Sequence, residues 1–180
     1  MLMPNLINFI LFQIGWFACV LSSAAGHPSL GALIAGAIIA WHVWQARRPS
    51  QEISLILVAM LIGMLWDSLL VWQSLLDYHS GILATNTAPY WIVIMWALFA
   101  TTLNLSLGWL KQHLLLASLL GAIAGPLAYY AGARLGALSV PQPLPAYLAL
   151  AIGWAVFTPI LSRLSRRLNG YANRLTGEWA

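Results

Sequence analysis

The chain has 180 residues, of which 61% are hydrophobic and 7% are charged. This excludes an ordinary soluble domain, which carries about 25% charged residues. The net charge is +4, but the basic residues lie in short connections between apolar runs, a pattern typical of membrane topology signals and not of a nucleic-acid surface. Cys19 is the single cysteine, which excludes an internal disulfide and a zinc cluster.

Six apolar windows follow one another along the chain, and each is of helical length. They fall at about residues 4–24, 29–46, 53–75, 89–110, 114–139 and 145–162. Four prolines stand at or just before window starts, where a missing backbone N–H costs least: Pro28, Pro49, Pro89 and Pro145. The N-terminus lacks the basic start of a secretory signal, so we expect the first window to be retained.

These windows predict an all-α fold, a polytopic membrane protein in which residues 1–162 form a compact bundle of six transmembrane helices. Residues 163–180 form a basic tail with apolar residues at helical spacing. The tail either lies on the anionic inner leaflet or is a solvated end.

The charges in the connections predict the orientation. They separate windows two from three and four from five, and follow window six: Arg47, Arg48, Lys111, Arg163, Arg166, Arg167 and Arg174. The positive-inside rule then places both termini in the cytoplasm, which an even number of spans requires.

Two sequence features predict how the helices pack. Small residues recur at intervals of three or four along window five, where another helix can approach closely: Gly121, Gly125, Ala128, Gly132 and Gly136. Pro126 interrupts the same window and should kink it. The resemblance of "GALIAGAII" in window two to "GAIAGPLA" in window five suggests a 3+3 inverted repeat, as in several transporters.

Asp67 is the main candidate for function, because it is the only charged residue in window three. A carboxylate facing lipid at that depth costs about 2.5 to 3.5 kcal/mol on insertion scales. We therefore predict that Asp67 faces the bundle interior, where it lines a cavity together with Gln13 of window one and Asn104 of window four. Asp67 is the candidate catalytic residue, and all three are candidate ligand-binding residues. The alternative is that these polar groups only join the helices.

Arg134, near the outer end of window five, is the fourth candidate ligand-binding residue, and it either pairs with Asp67 or extends to the outer interface. The outer connections hold His27, Asp77 and His79, but their spacing does not support a metal site. His42 is flanked by Trp41 and Trp44 and is assigned to the interfacial aromatic belt. No motif for a cofactor, a phosphate loop or a nucleophile elbow is present, so we predict no cofactor and no metal.

Four stretches, "NFILFQIGWFACV", "WD", "PYWIVIMWALFATTLNLSLGWL" and "GAIAGPLAYYAG", together resemble an uncharacterised family of small bacterial inner-membrane proteins that is known only as a domain of unknown function. The resemblance covers nearly the whole chain and implies a location in the bacterial inner membrane. Members of that family are often encoded near cyclopropane-fatty-acid-synthase-like methyltransferases and flavin oxidoreductases, which implies a link to membrane-lipid modification.

Three functions remain open from the sequence. The first is an accessory protein or enzyme acting on fatty-acyl lipid, with membrane lipid or a lipid-modifying enzyme as its partner. The second is a small-solute carrier or the substrate-binding component of a transporter, and the third is a structural partner of another membrane protein. A lipid site should open sideways between helices, whereas a solute site should open to the outer face.

Overall fold

The structure is a computed structural model that describes residues 2–172. These residues form six α-helices, in agreement with the predicted all-α class. The helices are α1 (Leu2–Ala24), α2 (Pro28–Gln45), α3 (Pro49–Trp72), α4 (Tyr90–Ala100), α5 (Leu114–Arg134) and α6 (Pro143–Arg167). The rest of the predicted basic tail, residues 173–180, lies outside the described residues.

Four of these helices are long and apolar enough to cross a membrane, judged by length and composition. They are Met3–Ala24 of α1, together with the whole of α3, α5 and α6. This agrees with an integral membrane protein. It does not confirm the count of six spans, because α2 and α4 are not among the four.

Proline positions explain several helix starts. Pro28, Pro49 and Pro143 each occupy the first residue of a helix, where the first backbone N–H has no partner within the helix. Pro89 is the residue just before α4. Pro145 lies two residues inside α6, so that helix begins earlier than predicted.

At the centre of the bundle α3 and α4 lie side by side. The hairpin α1–α2 packs mainly on α4, and the hairpin α5–α6 reaches α3 through α6. An inverted 3+3 repeat would pair α4 with α5 in the way that α1 pairs with α2. Instead α5 pairs with α6, so the packing does not confirm the repeat.

A two-stranded ribbon marks one end of the bundle. The strand β1 (Asp77–Tyr78) precedes α4, and the strand β2 (Leu138–Ser139) precedes α6. They pair antiparallel, with Tyr78 opposite Leu138. We call this the ribbon end, and the opposite end, where α6 finishes at Arg167, the tail end. Predicted windows three and five therefore end too late, because their last residues belong to the connections that carry the ribbon.

Window four is not one continuous α-helix, contrary to the prediction of a single span over residues 89–110. α4 ends at Ala100, residues 101–107 form turns, and Gly108–Gln112 form a 3₁₀ helix. The hydroxyls of Thr101 and Thr102 donate at 2.7 Å to carbonyl oxygens three residues earlier. Such local bonds compete with regular helix geometry, and they contribute to the early end of α4.

Glycines let two tryptophans, Trp96 and Trp154, pack directly against neighbouring helices. A Cβ built at Gly125 of α5 would lie 2.3 Å from the Trp154 ring of α6, and one built at Gly63 of α3 would lie 2.0 Å from Trp96 of α4. The Trp96 and Trp154 rings stack with centroids 4.5 Å apart. The predicted close approach along α5 is therefore present, although Gly136 lies beyond the end of the helix.

Candidate functional site

Asp67 lies on the buried face of α3 near the ribbon end, and its side chain is 0% exposed. The hydroxyls of Tyr78 and Tyr129 each donate to its Oδ1 at 2.7 Å. The indole Nε1 of Trp96 donates to its Oδ2 at 2.8 Å. Three uncharged donors, from β1, α4 and α5, thus surround the carboxylate.

Gly63 makes one of these bonds possible. It lies one helical turn before Asp67, and the Trp96 ring occupies the space that a side chain would fill. The indole can therefore lie flat on α3 and reach the carboxylate. Tyr78 comes from the ribbon, so Asp67 also ties the ribbon to the interior. Burial, together with the neighbouring Asp67 carboxylate, raises the pKa of the Tyr78 hydroxyl well above its usual value, so this hydroxyl remains a donor.

The other predicted ligands of the Asp67 site do not join it. Arg134 is exposed at the last residue of α5, and within residues 2–172 no ion pair includes Asp67. Gln13 of α1 is partly exposed, and no hydrogen bond in the described part of the chain connects it to Asp67. The prediction that span four contributes to the site is met by Trp96 and not by Asn104.

Asn104 belongs to a second buried site, which is centred on Glu52. This acid is also 0% exposed and lies in the first turn of α3. Asn104 Nδ2 and the backbone N–H of Gly170 donate to its Oε1 at 2.5 and 2.7 Å. His42 Nε2 donates to its Oε2 at 2.8 Å. His42 is thus buried in this site beside Glu52, whereas the sequence assigned it to the interfacial aromatic belt.

The Glu52 site extends to the connections at the tail end. Lys111 Nζ donates to Asn104 Oδ1 at 2.6 Å, and Arg166 donates to the Lys111 carbonyl. Burial lowers the pKa of Lys111 to about 8, with Arg166 adding to the fall and Glu52 opposing it. The Tyr171 hydroxyl donates to the His42 carbonyl at 2.6 Å. Three parts of the chain therefore bond directly to the Glu52 carboxylate, namely α2, the turn that holds Asn104 and the segment after α6, and Lys111 joins them through Asn104.

The two carboxylates are well separated although they share one helix face. They are 15 residues apart on α3, which corresponds to about 22 Å at 1.5 Å per residue. The buried residues between them continue a single stripe: Leu55, Ile56, Ala59 and Gly63. The predicted grouping of Asp67 with Asn104 is therefore replaced by two sites at opposite ends of α3.

Sequence reasoning missed Glu52 because it lies just outside the predicted window and beside Arg48 and Pro49. An acid in the first turn of a helix is ordinarily explained by the helix dipole. The available signal was periodicity, since Glu52 extends the stripe of Ala59, Gly63 and Asp67 by two turns.

A groove of about 580 Å³ opens on the outer surface of the bundle between α5 and α6. On α5 its walls are Ala122, Ile123, Pro126 and Leu127, and on α6 they run from Pro143 to Ala151. Ile123 and Leu127 are 60% and 58% exposed. The groove thus faces sideways, towards the surroundings of the helices.

Together the helices and the buried carboxylates define a membrane-type helical bundle with two buried polar sites. The chain matches the family described as "Protein of unknown function (DUF2878)" over residues 5–160, and it belongs to that family. No curated protein and no solved structure matches it.

Proposed function

We propose that this chain is a six-span protein of the bacterial inner membrane that binds fatty-acyl lipid at the groove between α5 and α6, as an accessory protein or enzyme of lipid modification. The single observation that carries the proposal is the sideways opening of that groove. A ligand that enters from the bilayer needs such an opening, whereas a solute would enter from one end.

The size and lining of the groove suit an acyl chain. Ligand sites commonly enclose about 300 to 1,000 Å³, a range that includes the 580 Å³ found here. Almost the entire lining is hydrocarbon, with the hydroxyl of Tyr147 as the polar group among the lining side chains. A lining with one polar side chain offers few hydrogen bonds to a polar solute.

α5 connects the groove with Asp67. The Tyr129 hydroxyl donates to Asp67, while the next residue, Tyr130, packs against Tyr147 with ring centroids 6.3 Å apart. A change in the groove that shifts α5 would therefore alter a hydrogen bond at the carboxylate. An ionisable residue inside a membrane domain is a functional candidate by default, and in this proposal Asp67 is the group that responds to lipid.

A photoreactive phospholipid tests lipid binding. The protein is placed in nanodiscs that contain a trace of phospholipid with a diazirine on its acyl chain, irradiated, and mapped by peptide mass spectrometry. We expect labelling at Ile123 and Leu127 to exceed, several-fold, labelling at the similarly exposed Leu6 and Ile7 of α1. Equal labelling of the groove residues and of the control residues in α1 would refute a lipid site in the groove.

A groove-filling variant connects binding with function. Ala151→Phe should block the groove, whereas Ala37→Phe on the exposed face of α2 adds the same bulk elsewhere and serves as the control. Acyl chains of a deletion strain, profiled by lipid mass spectrometry, should regain their normal modification with the parent or the control gene and not with Ala151→Phe. An unchanged lipid profile in the deletion strain would remove lipid modification from the proposal.

One observation favours the solute carrier as the second candidate. The path from Tyr90 to Gln112 is interrupted after Ala100, and interrupted helices commonly form ion and substrate sites in transporters. Asn8 of α1 meets the interruption, since its Nδ2 donates to the Thr101 carbonyl at 3.2 Å. Solute uptake by proteoliposomes that is lost in Asn8→Ala would favour a carrier over a lipid protein.

A further inference from the structure

The two helices that form the groove each contain an interior proline, Pro126 in α5 and Pro159 in α6. Proline has no backbone N–H, so each one removes the helical hydrogen bond to the carbonyl four residues earlier. The carbonyls that lose their usual donor are those of Ala122 and Ala155. Within a membrane no water compensates such a loss, and an unpaired backbone group costs several kcal/mol.

The two carbonyls differ in whether a side chain donates a hydrogen bond to them. Ser118 of α5 donates its hydroxyl to the Ala155 carbonyl at 2.7 Å, which replaces the bond lost at Pro159. For the Ala122 carbonyl, no side chain in the described part of the chain acts as a donor. The carbonyl opposite Pro159 therefore has a side-chain donor, and the carbonyl opposite Pro126 has none among residues 2–172.

The Ala122 carbonyl, which has no side-chain donor in the described part of the chain, belongs to a residue that lines the groove. Ala122 and Pro126 are both lining residues, and the carbonyl of Ala122 is directed along the helix surface between them. On the opposite wall Ala151 supplies only a methyl group. This end of the groove thus pairs a hydrocarbon surface with one hydrogen-bond acceptor, and Tyr147 lies one turn away from Ala151, midway along the α6 wall.

We infer that the groove selects an acyl chain that carries a hydroxyl group along its length, and that this hydroxyl donates to the carbonyl of Ala122. The inference rests on the proposed function, since it names the class of acyl chain that the groove takes. An unsubstituted chain fills the same hydrocarbon surface and leaves the carbonyl unpaired. The expected advantage of the hydroxylated chain is that of one hydrogen bond, about three- to tenfold in affinity.

Competition between two fatty acids tests the selectivity. Protein in detergent is labelled with a photoreactive stearate, and stearate or a mid-chain hydroxystearate is added as the competitor. For the parent protein we expect hydroxystearate to halve the labelling at about three- to tenfold lower concentration than stearate. Equal potency would overturn the inference and leave lipid binding intact, whereas failure of both competitors would overturn the proposed function as well.

Two proline variants identify the acceptor. Pro126→Ala restores the N–H that bonds to the Ala122 carbonyl, so the ratio between the potencies of hydroxystearate and stearate should fall to about one. Pro159→Ala is the matched control and should retain the preference, because its carbonyl already has Ser118 as donor. Pro126→Gly restores the same N–H and replaces the alanine variant if that one does not fold. A preference that persists in these Pro126 variants would overturn the role of the Ala122 carbonyl.

Discussion

The Asp67 carboxylate receives three hydrogen bonds from uncharged groups, and each donor belongs to a different part of the fold. Oδ1 accepts from two tyrosines, and Oδ2 accepts from Trp96. Inside an apolar bundle, a donor that loses its acceptor costs about 1 to 3 kcal/mol. The position therefore requires two acceptor oxygens and not merely a polar side chain of the right size.

Asp67→Asn tests this requirement. The sequence alone predicts that this variant folds normally and loses activity, because Asn preserves shape and removes charge and proton exchange. In the structure, the amide NH₂ that replaces Oδ2 would face the Trp96 N–H, so we expect the free energy of unfolding to fall by about 1 to 3 kcal/mol. Unfolding of the parent and of Asp67→Asn in detergent measures this difference in free energy. In a Trp96→Phe background the same substitution should cost less, and an equal cost would contradict the assigned bond.

Lys111 predicts a pH dependence of stability. Burial lowers its pKa from 10.5 to about 8, so between these values the unfolded chain binds more protons than the folded protein. Stability should therefore rise as the pH increases from about 8 towards 10. Thermal unfolding of the parent and of Lys111→Met, compared over pH 8 to 10, isolates this contribution. A difference between the two proteins that does not change with pH would contradict the lowered pKa.

At the residue scale the sequence predicted burial but not partners. Asp67 had to be buried because a lone carboxylate in an apolar window is costly towards lipid. Its donors Tyr78 and Tyr129 lie 11 and 62 residues away in sequence, and only packing brings them together. The aromatic residues of these windows are equally typical of an interfacial belt, so composition could not identify the three that bind the carboxylate.

At the scale of elements, glycines determine how closely the helices approach. Association in lipid depends on contact between helices, because the surrounding chains are as apolar as the side chains. Trp66 packs on Gly153 of α6 in the same way that Trp154 packs on Gly125. A large ring that lies against bare backbone makes more atomic contacts than two medium-sized side chains do. These two ring contacts join α3, α5 and α6.

Gly125→Leu should impair folding for this reason. A side chain at this position would occupy the space of the Trp154 ring, which is fixed on its other face by Trp96. The matched control is Gly36→Leu in α2, where no atom lies within 4 Å of the added Cβ. We expect Gly125→Leu to elute as aggregate in size-exclusion chromatography in detergent and Gly36→Leu to elute like the parent. If Gly125→Leu elutes like the parent, the packing of Trp154 does not require a glycine at this position.

Helix starts were predictable from local chemistry, and the end of α4 was not. Prolines mark where a helix can begin, whatever the rest of the fold does. The turn after Ala100 instead depends on Asn8 of α1, which binds the Thr101 carbonyl and also accepts from the Ser106 hydroxyl at 2.6 Å. Threonines inside apolar windows are also common in continuous helices, so the sequence of this segment alone favoured one uninterrupted span.

Over the whole molecule, the distribution of Lys and Arg agrees with the way the connections between helices are divided between the two ends of the bundle. Contacts at the ribbon end join the connections that precede α2, α4 and α6, for example Ser80 with the Ser23 carbonyl. Contacts at the tail end join those that precede α3 and α5 to the end of α6, for example the Arg48 N–H with the Gly170 carbonyl at 3.0 Å. Successive helices therefore begin at alternate ends of the bundle.

The orientation of this bundle is the final prediction. At the tail end lie Arg47, Arg48, Lys111 and the arginines of the last turns of α6, and at the ribbon end Arg134 is the one Lys or Arg among residues 2–172. Since Lys and Arg remain on the cytoplasmic side of bacterial membranes, the tail end should be cytoplasmic. A green fluorescent protein fusion at the C-terminus should fluoresce and an alkaline phosphatase fusion there should be inactive, while phosphatase fused after Ala84 should be active. A C-terminus at which only the phosphatase is active would reverse the orientation and place the Glu52 site on the periplasmic side.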